Sequence, residues 1–224
     1  MPEKLGLPRR FELIVFDWDG TLMDSADAIV ASLRGACSDL GLPVPSDEGA
    51  RYVIGLGLQD AMAHILPGVA PSVYPSIAER YRDHFLRHDP DTALFAGAAE
   101  LVASLHESGF LLAVATGKGR RGLERSLAAT GIKRYFHATR CADEGFSKPH
   151  PGMLEALMDE LDVAPEKTLM IGDTTHDMEM ARAAGVARLG VAYGAHGKAA
   201  LLEYSPLACV EDFAGLRGWL LRHA

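Results

Sequence analysis

The stretch Leu13-Ile14-Val15-Phe16-Asp17-Trp18-Asp19-Gly20-Thr21, residues 13–21, runs four apolar residues straight into two acids, a glycine and a threonine. A short apolar run without alternation, bounded by turn residues, predicts a strand buried on both faces, as in a parallel sheet. Two carboxylates two positions apart at the carboxyl end of such a strand repel each other. A cation, a proton or a hydrogen-bonded loop must relieve them. Read alone, the same residues also fit a turn with a capping Asp and a Gly.

Outward from this stretch, further short apolar runs occur at Leu111–Ala115, Thr168–Ile171 and Val186–Val191, with a weaker one at His137–Thr139. Helical stripes separate them. Leu101, Val102 and Leu105 precede Gly109, Leu123 and Leu127 precede Gly131, Leu154, Leu157, Met158 and Leu161 form a third, and a helix from near His176 ends at Gly185. Apolar residues at helical spacing that stop at Gly are the mark of capped amphipathic helices. The alternation predicts an α/β fold, a Rossmann-like parallel sheet with helices on both faces. From Ser25 to Asp91 the rhythm breaks, and only helical patterns remain. Ile29, Leu33, Cys37 and Leu40 stop at Gly41, Ser46 is placed to cap a second helix, and Val73, Ile77, Tyr81, Phe85 and His88 stripe a longer one. The expected organisation is an α/β core of residues 1–24 and 92–224, with an all-helical cap inserted at 25–91.

The 224 residues suit one domain with an insertion, and 48% hydrophobic content is too apolar for a disordered chain. With 22 Lys and Arg against 30 Asp and Glu, the net charge is −8, which disfavours nucleic acid and anionic membranes as partners. Three cysteines, Cys37, Cys141 and Cys209, lack CxxC spacing and predict free thiols in a reducing compartment. The first twenty residues hold no sustained apolar stretch, so neither a signal peptide nor a membrane span is expected. A cytoplasmic protein follows, monomeric or weakly dimeric.

The fourth run repeats the chemistry of the first. Leu169-Met170-Ile171-Gly172 ends in Asp173, and Asp177 follows four residues later. The second run ends in Thr116-Gly117-Lys118, and Lys148 precedes Pro149 in a loop. Placed at successive strand ends, Asp17, Asp19, Thr116, Lys148, Asp173 and Asp177 make a site suited to Mg²⁺ and a phosphoryl group. Mg²⁺ takes hard oxygen ligands, and a hydroxyl, amides and an ammonium supply the donors phosphate needs.

These four ordered motifs, DxDGT, a strand-end Thr, Lys-Pro and GDxxxD, together with the helices after the first, resemble the haloacid dehalogenase-like hydrolases over nearly the whole chain. The likeness is closer to their phosphoglycolate-phosphatase-like branch. The resemblance implies Mg²⁺-dependent phosphatase chemistry on a small phosphorylated metabolite. Asp17 would be the nucleophile that forms an aspartyl-phosphate, and Asp19 the general acid and then base. Asp17, Asp173 and the main-chain carbonyl of Asp19 would hold Mg²⁺. Thr116 and Lys148 would bind and neutralise the phosphoryl group, Asp177 would orient Lys148 or a metal-bound water, and Gly20 and Thr21 would start a movable flap.

Specificity is expected from Arg51-Tyr52-Val53-Ile54-Gly55-Leu56-Gly57-Leu58-Gln59, where Gly55 and Gly57 allow close approach and Arg51 supplies a cation. The same segment also fits a plain helix–helix turn. Lys118 and Gly117 are further substrate-binding candidates, and phosphoglycolate is the substrate the resemblance suggests. The insertion carries five Arg and nine acids, a balance of −4, which disfavours polyanionic substrates. His176, Arg120 and Arg121 read as solvated polar residues, His150 as a loop residue, and Trp18, Met178 and Met180 as packing. Three rivals use related residues. A phosphoglucomutase-like phosphotransferase would share the core. A dehalogenase would attack carbon and have little use for Asp19. A phospho-accepting receiver would carry its acidic pair on a different strand from the phosphorylated Asp.

Overall fold

Leu13–Phe16 forms strand β1 with all four side chains buried. The computed structural model describes residues 10–88 and 92–224 of the chain. Leu111–Thr116 forms β2, Ala138–Cys141 β3, Thr168–Gly172 β4, Ala187–Val191 β5 and Cys209–Val210 β6. One sheet results, ordered β3-β2-β1-β4-β5-β6 and parallel at every pairing. β1 is therefore central, with Phe16 in register with Val114 on one side and Ile171 on the other.

Successive strand side chains face opposite ways, so each strand feeds two cores. Ile14, Phe16, Leu112, Val114, Leu169 and Ile171 join a cluster with α5 (Ala98–Glu107), α6 (Arg120–Thr130) and α10 (Phe213–His223). Leu13, Val15, Ala113 and Met170 join a second with α7 (Gly152–Leu161) and α8 (Thr175–Ala183). Covering both faces is what permits strands with no polar alternation. Trp18 packs into the first cluster, edge-on to Phe136 at 6.5 Å between ring centroids.

Four helices follow β1: α1 (Ala26–Asp39), α2 (Asp47–Tyr52), α3 (Leu58–Ile65) and α4 (Tyr74–His88). Their buried side chains, among them Leu33, Ala50, Met62, Ile77 and Phe85, form a third cluster of their own. α1 lies along α4. Ser46 caps α2 by accepting the Gly49 N–H at 3.1 Å, as its position predicts. The two chain crossings between this helical unit and the sheet run side by side. The Asp24 N–H donates to the Ala93 carbonyl at 2.9 Å and the Phe95 N–H to the Leu22 carbonyl at 3.0 Å. Met23 and Leu94 pair antiparallel between them. Asp91, the expected end of the insertion, and the His88 side chain lie outside the described residues.

The Arg51–Gln59 segment is only partly a loop. Arg51 and Tyr52 close α2, Leu58 and Gln59 open α3, and the connection is residues 53–57. Beyond Val191 the chain adds α9 (Lys198–Leu202), β6 and α10. Two residues are too few to show a period, so β6 has no sequence signal. α10, capped by Asp212 and burying Phe213, Leu216, Trp219 and Leu220, lies beyond the elements read from the sequence.

Separate clusters predict separable responses. Ile77→Ala removes a fully buried side chain from the helical unit, at a cost of roughly 2–5 kcal/mol. Hydrogen exchange should accelerate in α1 and α4 while β1 and β4 amides keep their protection. Equal acceleration in the sheet would show that the two parts unfold as one.

Candidate active site

β1 ends at Phe16, in register with Val114 and Ile171, while β2 runs on to Thr116 and β4 to Gly172; Asp17, Thr116 and Asp173 thus lie at or just past three neighbouring strand ends. Carboxyl ends of parallel strands are where open α/β sheets leave a crevice. Lys148 enters from the loop between β3 and α7, and Asp177 from the first turn of α8. All five side chains are buried.

Lys148 Nζ lies 2.7 Å from Asp17 Oδ1 and 2.6 Å from Asp177 Oδ1, bridging two acids with no exposure of its own side chain. Asp177 Oδ2 accepts the Thr174 N–H at 3.0 Å and the Thr174 hydroxyl at 2.7 Å, and Thr174 Oγ1 accepts the Asp177 N–H at 3.2 Å, which makes a capping box at the start of α8. Asp173 is held by the Thr21 hydroxyl on Oδ1 and the Ala195 N–H on Oδ2, both at 2.7 Å. Asp17 Oδ1 accepts the Trp18 N–H at 2.7 Å. Its Oδ2 has no hydrogen-bond partner among the described residues. Gly20 turns the chain at φ +84, and a Cβ there would collide with the Asp173 carboxylate. The DxDG glycine is therefore required both by its dihedral and by the acid packed against it.

Oxygens of Asp17, Asp173 and Asp177 lie within 4.8 Å of one another. Burial in the first place, with Asp177 and Asp173 adding to it, raises the Asp17 carboxyl well above its ordinary range, against the opposing pull of Lys148. Burial, reinforced by Asp177, also pushes Asp173 up to about 7. For Lys148 burial works against the ammonium, but Asp17 and Asp177 outweigh it and the net direction is up. Three carboxylates face one ammonium, so the cluster lacks positive charge. Hard oxygen donors and this deficit fit a divalent cation such as Mg²⁺.

The Asp19 side chain leaves the cluster. Its Oδ1 accepts the Ser25 hydroxyl at 2.7 Å, and Lys118 Nζ lies 2.9 Å from Oδ1 and 3.0 Å from Oδ2. Ser25 precedes α1 but does not cap it, because its hydroxyl is committed to Asp19. The Lys118 ammonium also rests 4.5 Å from the centroid of the Phe85 ring, a cation–π contact supplied by α4. Burial, with Asp19 adding to it, raises the Tyr81 phenol above its usual range. Thr116 Oγ1 accepts the Lys118 N–H at 3.1 Å, which fixes the turn that follows β2.

The helical unit lies directly on these loops. A Cβ on Gly117 would collide with the Gly55 carbonyl, so two glycines make the closest approach. Gly55 adopts φ +91 against Thr174, while Gly57 passes Ser147, whose hydroxyl donates to Asp60. The Tyr52 carbonyl accepts from His176 Nε2 at 2.8 Å and lies 3.0 Å from His196 Nε2.

Three readings from sequence need correction. Arg51 pairs with Asp27 on the surface, their side chains 37% and 88% exposed, instead of offering a cation to the site. His176 is buried and bound to Tyr52 rather than solvated, its partner lying far away in sequence. Arg120 is not free surface polarity: it makes a paired contact with Glu144 at 2.7 and 2.6 Å and reaches Thr139. His196, Ser25, Tyr81 and Phe85 were missed as site residues. Ser25 was findable as a hydroxyl at a helix start, whereas His196 carries no local signal.

Burial lowers the pKa of both His176 and His196. Below the ordinary His value of about 6.5 the unfolded chain takes up protons that the folded chain refuses, so these residues destabilise the fold as pH falls. Melting temperatures measured from pH 8 to pH 5.5 should fall more for the native protein than for a His176→Gln/His196→Gln variant. Parallel curves would show that neither ring titrates in that window.

A family model described as haloacid dehalogenase-like hydrolase matches residues 14–191. The relative named "Probable phosphatase IndB", from Dickeya dadantii (strain 3937), is 35% identical over 212 residues, 92% of each chain. "Tyrosine-protein kinase PtkA" of Mycobacterium tuberculosis (strain ATCC 25618 / H37Rv) is 32% identical over 91% of this chain and 69% of its own. "Phosphoglycolate phosphatase" of Haemophilus influenzae (strain 86-028NP) is 30% identical over 92% of this chain and 97% of its own. A hydrolase from Pseudomonas syringae has the same fold, with a TM-score of 0.87 at 22% identity over 95% of this chain and 99% of its own. The match over residues 14–191, and relatives at this identity along almost the full chain, show that it belongs to the haloacid dehalogenase-like hydrolase family.

Proposed function

We propose that this chain is a Mg²⁺-dependent phosphatase that hydrolyses a small phosphomonoester through an aspartyl-phosphate on Asp17. The observation that carries this reading is the Asp17 carboxylate: one oxygen is fixed by Trp18 and Lys148, and the other is buried without a hydrogen-bond partner among the described residues. That oxygen is the one positioned to attack phosphorus. Asp17 and Asp173, with the main-chain carbonyl of Asp19, would hold Mg²⁺, which when bound offsets the charge between carboxylate and phosphate. Lys148 stays protonated between Asp17 and Asp177 and balances charge on nucleophile and phosphoryl oxygens alike. Thr116 and the Gly117 N–H would donate to the phosphoryl oxygens. Asp19, having taken up a proton from solvent before the substrate is cleaved, would give it to the leaving alkoxide and then take one from the water that cleaves the aspartyl-phosphate, with Ser25 and Lys118 holding its side chain in place.

Residues 25–91 act as a cap on a hydrolase core of residues 1–24 and 92–224. Gly55, closing on Gly117, supports this, because it brings the connection at 53–57 directly over the phosphate-binding turn. Gly57 lets the same connection pass the Lys148 loop. With Arg51 paired to Asp27, Lys118 is the cation left to meet the leaving group from beside Asp19. The relatives named phosphoglycolate phosphatase make phosphoglycolate the substrate to test first. Three free cysteines support the reducing cytoplasm as its setting. Among the described residues no helix is long and apolar enough to cross a membrane. A phosphotransferase is the second reading, favoured by the relative named tyrosine-protein kinase. It would use the same Asp17 and pass the phosphoryl group to an acceptor hydroxyl in place of water.

Asp17→Asn should lower phosphate release by roughly 10³-fold or more and leave the thermal melt unchanged or higher, since burial opposes the charge it removes. Retained turnover would sink the nucleophile assignment. A panel of small phosphate esters, assayed with Mg²⁺ and then with EDTA, should release inorganic phosphate only with Mg²⁺. Activity that survives EDTA would remove the cation from the mechanism, and label appearing on an acceptor in place of free phosphate would favour the transferase.

A further inference from the structure

We propose that His176 and His196 are positioning residues that together grip the main-chain carbonyl of Tyr52 and so set where the connection at residues 53–57 lies over the active site. This rests on the reading above that the helical unit acts as a cap.

The geometry determines which nitrogen does what. His196 Nδ1 accepts the Thr175 N–H at 3.0 Å, so its ring proton resides on Nε2, which lies 3.0 Å from the Tyr52 carbonyl oxygen. His176 Nε2 approaches the same oxygen at 2.8 Å. One carbonyl, with two lone pairs, therefore receives two ring N–H donors. Tyr52 ends α2, where the final carbonyls have no partner inside the helix, so this oxygen needs donors from elsewhere. The two imidazoles meet edge-on with centroids 5.3 Å apart. The Tyr52 ring stacks on His196 at 5.5 Å and on His64 of α3 at 4.7 Å. Both gripping histidines are buried, so the grip forms inside the seam and not on its rim.

Both halves of the grip continue directly into the site. On the cap side, three residues after Tyr52, Gly55 meets Gly117 and Thr174. On the core side, the His196 N–H donates to the Asp173 carbonyl at 3.2 Å, and the preceding Ala195 N–H holds the Asp173 carboxylate. His176 lies in the turn that carries Asp177. A shift of Tyr52 against this frame moves Gly55 relative to the phosphate-binding turn with only two residues to absorb it.

The test compares a His176→Ala/His196→Ala variant with His176→Gln/His196→Gln, whose amides keep an N–H donor near each Nε2. Losing the grip lowers the fraction of molecules with the cap seated, which raises the apparent KM while saturating substrate restores turnover. With phosphoglycolate or p-nitrophenyl phosphate as substrate, the Ala pair should raise KM roughly tenfold with kcat held within about threefold. Amide exchange at residues 51–58 should speed up by a similar factor while β1 and β4 stay protected. The Gln pair should recover most of both effects, and each single Ala variant should show part of them. Unchanged exchange at 51–58 in the Ala pair overturns the proposal, as does a Gln pair that melts like the native protein yet behaves like the Ala pair. The exchange measurement needs no turnover. An inactive native protein would thus count against the phosphatase reading and leave the grip to be judged on exchange.

Discussion

The Lys148 ammonium, shared between Asp17 and Asp177 with no exposure to water, is the interaction on which the remaining arrangement depends. Placing an ion there costs several kcal/mol in desolvation, and removing the lysine would leave its buried acids without their one cation. The pair persists because the sheet brings its members together. β1 delivers Asp17 at its end, β4 leads through Asp173 and Thr174 into α8, and the capping box of α8 fixes Asp177. Thr174 thus serves two ends at once, starting a helix and orienting an acid. A third carboxylate, Asp173, completes a group that one lysine does not neutralise, and it is held by a hydroxyl and a main-chain N–H rather than by a second cation. The fold therefore gathers three acids around one ammonium, a charge balance that a hard divalent cation would complete.

Much of this was legible in the sequence because parallel strands covered on both faces lose their polar alternation. Leu13–Phe16 and Thr168–Ile171 could be read as strands, and an acid just past each then had a defined place at the sheet's carboxyl end. Lys148 was readable only as a lysine before a proline, and its place between two acids is a long-range fact. Local reading failed where the partner was remote. Arg51, close to two glycines, looked like a pocket cation, yet Asp27 on α1 takes it. His176, polar and at a helix start, looked solvated, yet a carbonyl 124 residues away in sequence buries it. β6 has two residues and shows no period at all.

Contacts across the seam combine main-chain and side-chain atoms. The carbonyls of Tyr52 and Gly55 and the backbones of Gly57 and Gly117 come close to the core loops. Side chains join them: His176 and His196 on Tyr52, Lys118 against Phe85, and Ser147 with Asp60. Phe85 of α4 reaches the Lys118 ammonium, and Tyr81 of the same helix lies in the field of Asp19.

The paired crossing at Met23 and Leu94 has a consequence for how such a chain can change over time. Where entry and exit lie hydrogen-bonded side by side, the ends of the inserted segment are already closed by the core. Loop-closure entropy grows only with the logarithm of length, so the segment between them can lengthen, shorten or be exchanged at little thermodynamic expense to the sheet. The strand-end acids Asp17, Asp19, Asp173 and Asp177 precede the first crossing or follow the second, and none is carried by the segment itself. The crossing is therefore a graft point, at which one segment can be exchanged for another while the strand-end acids stay in place.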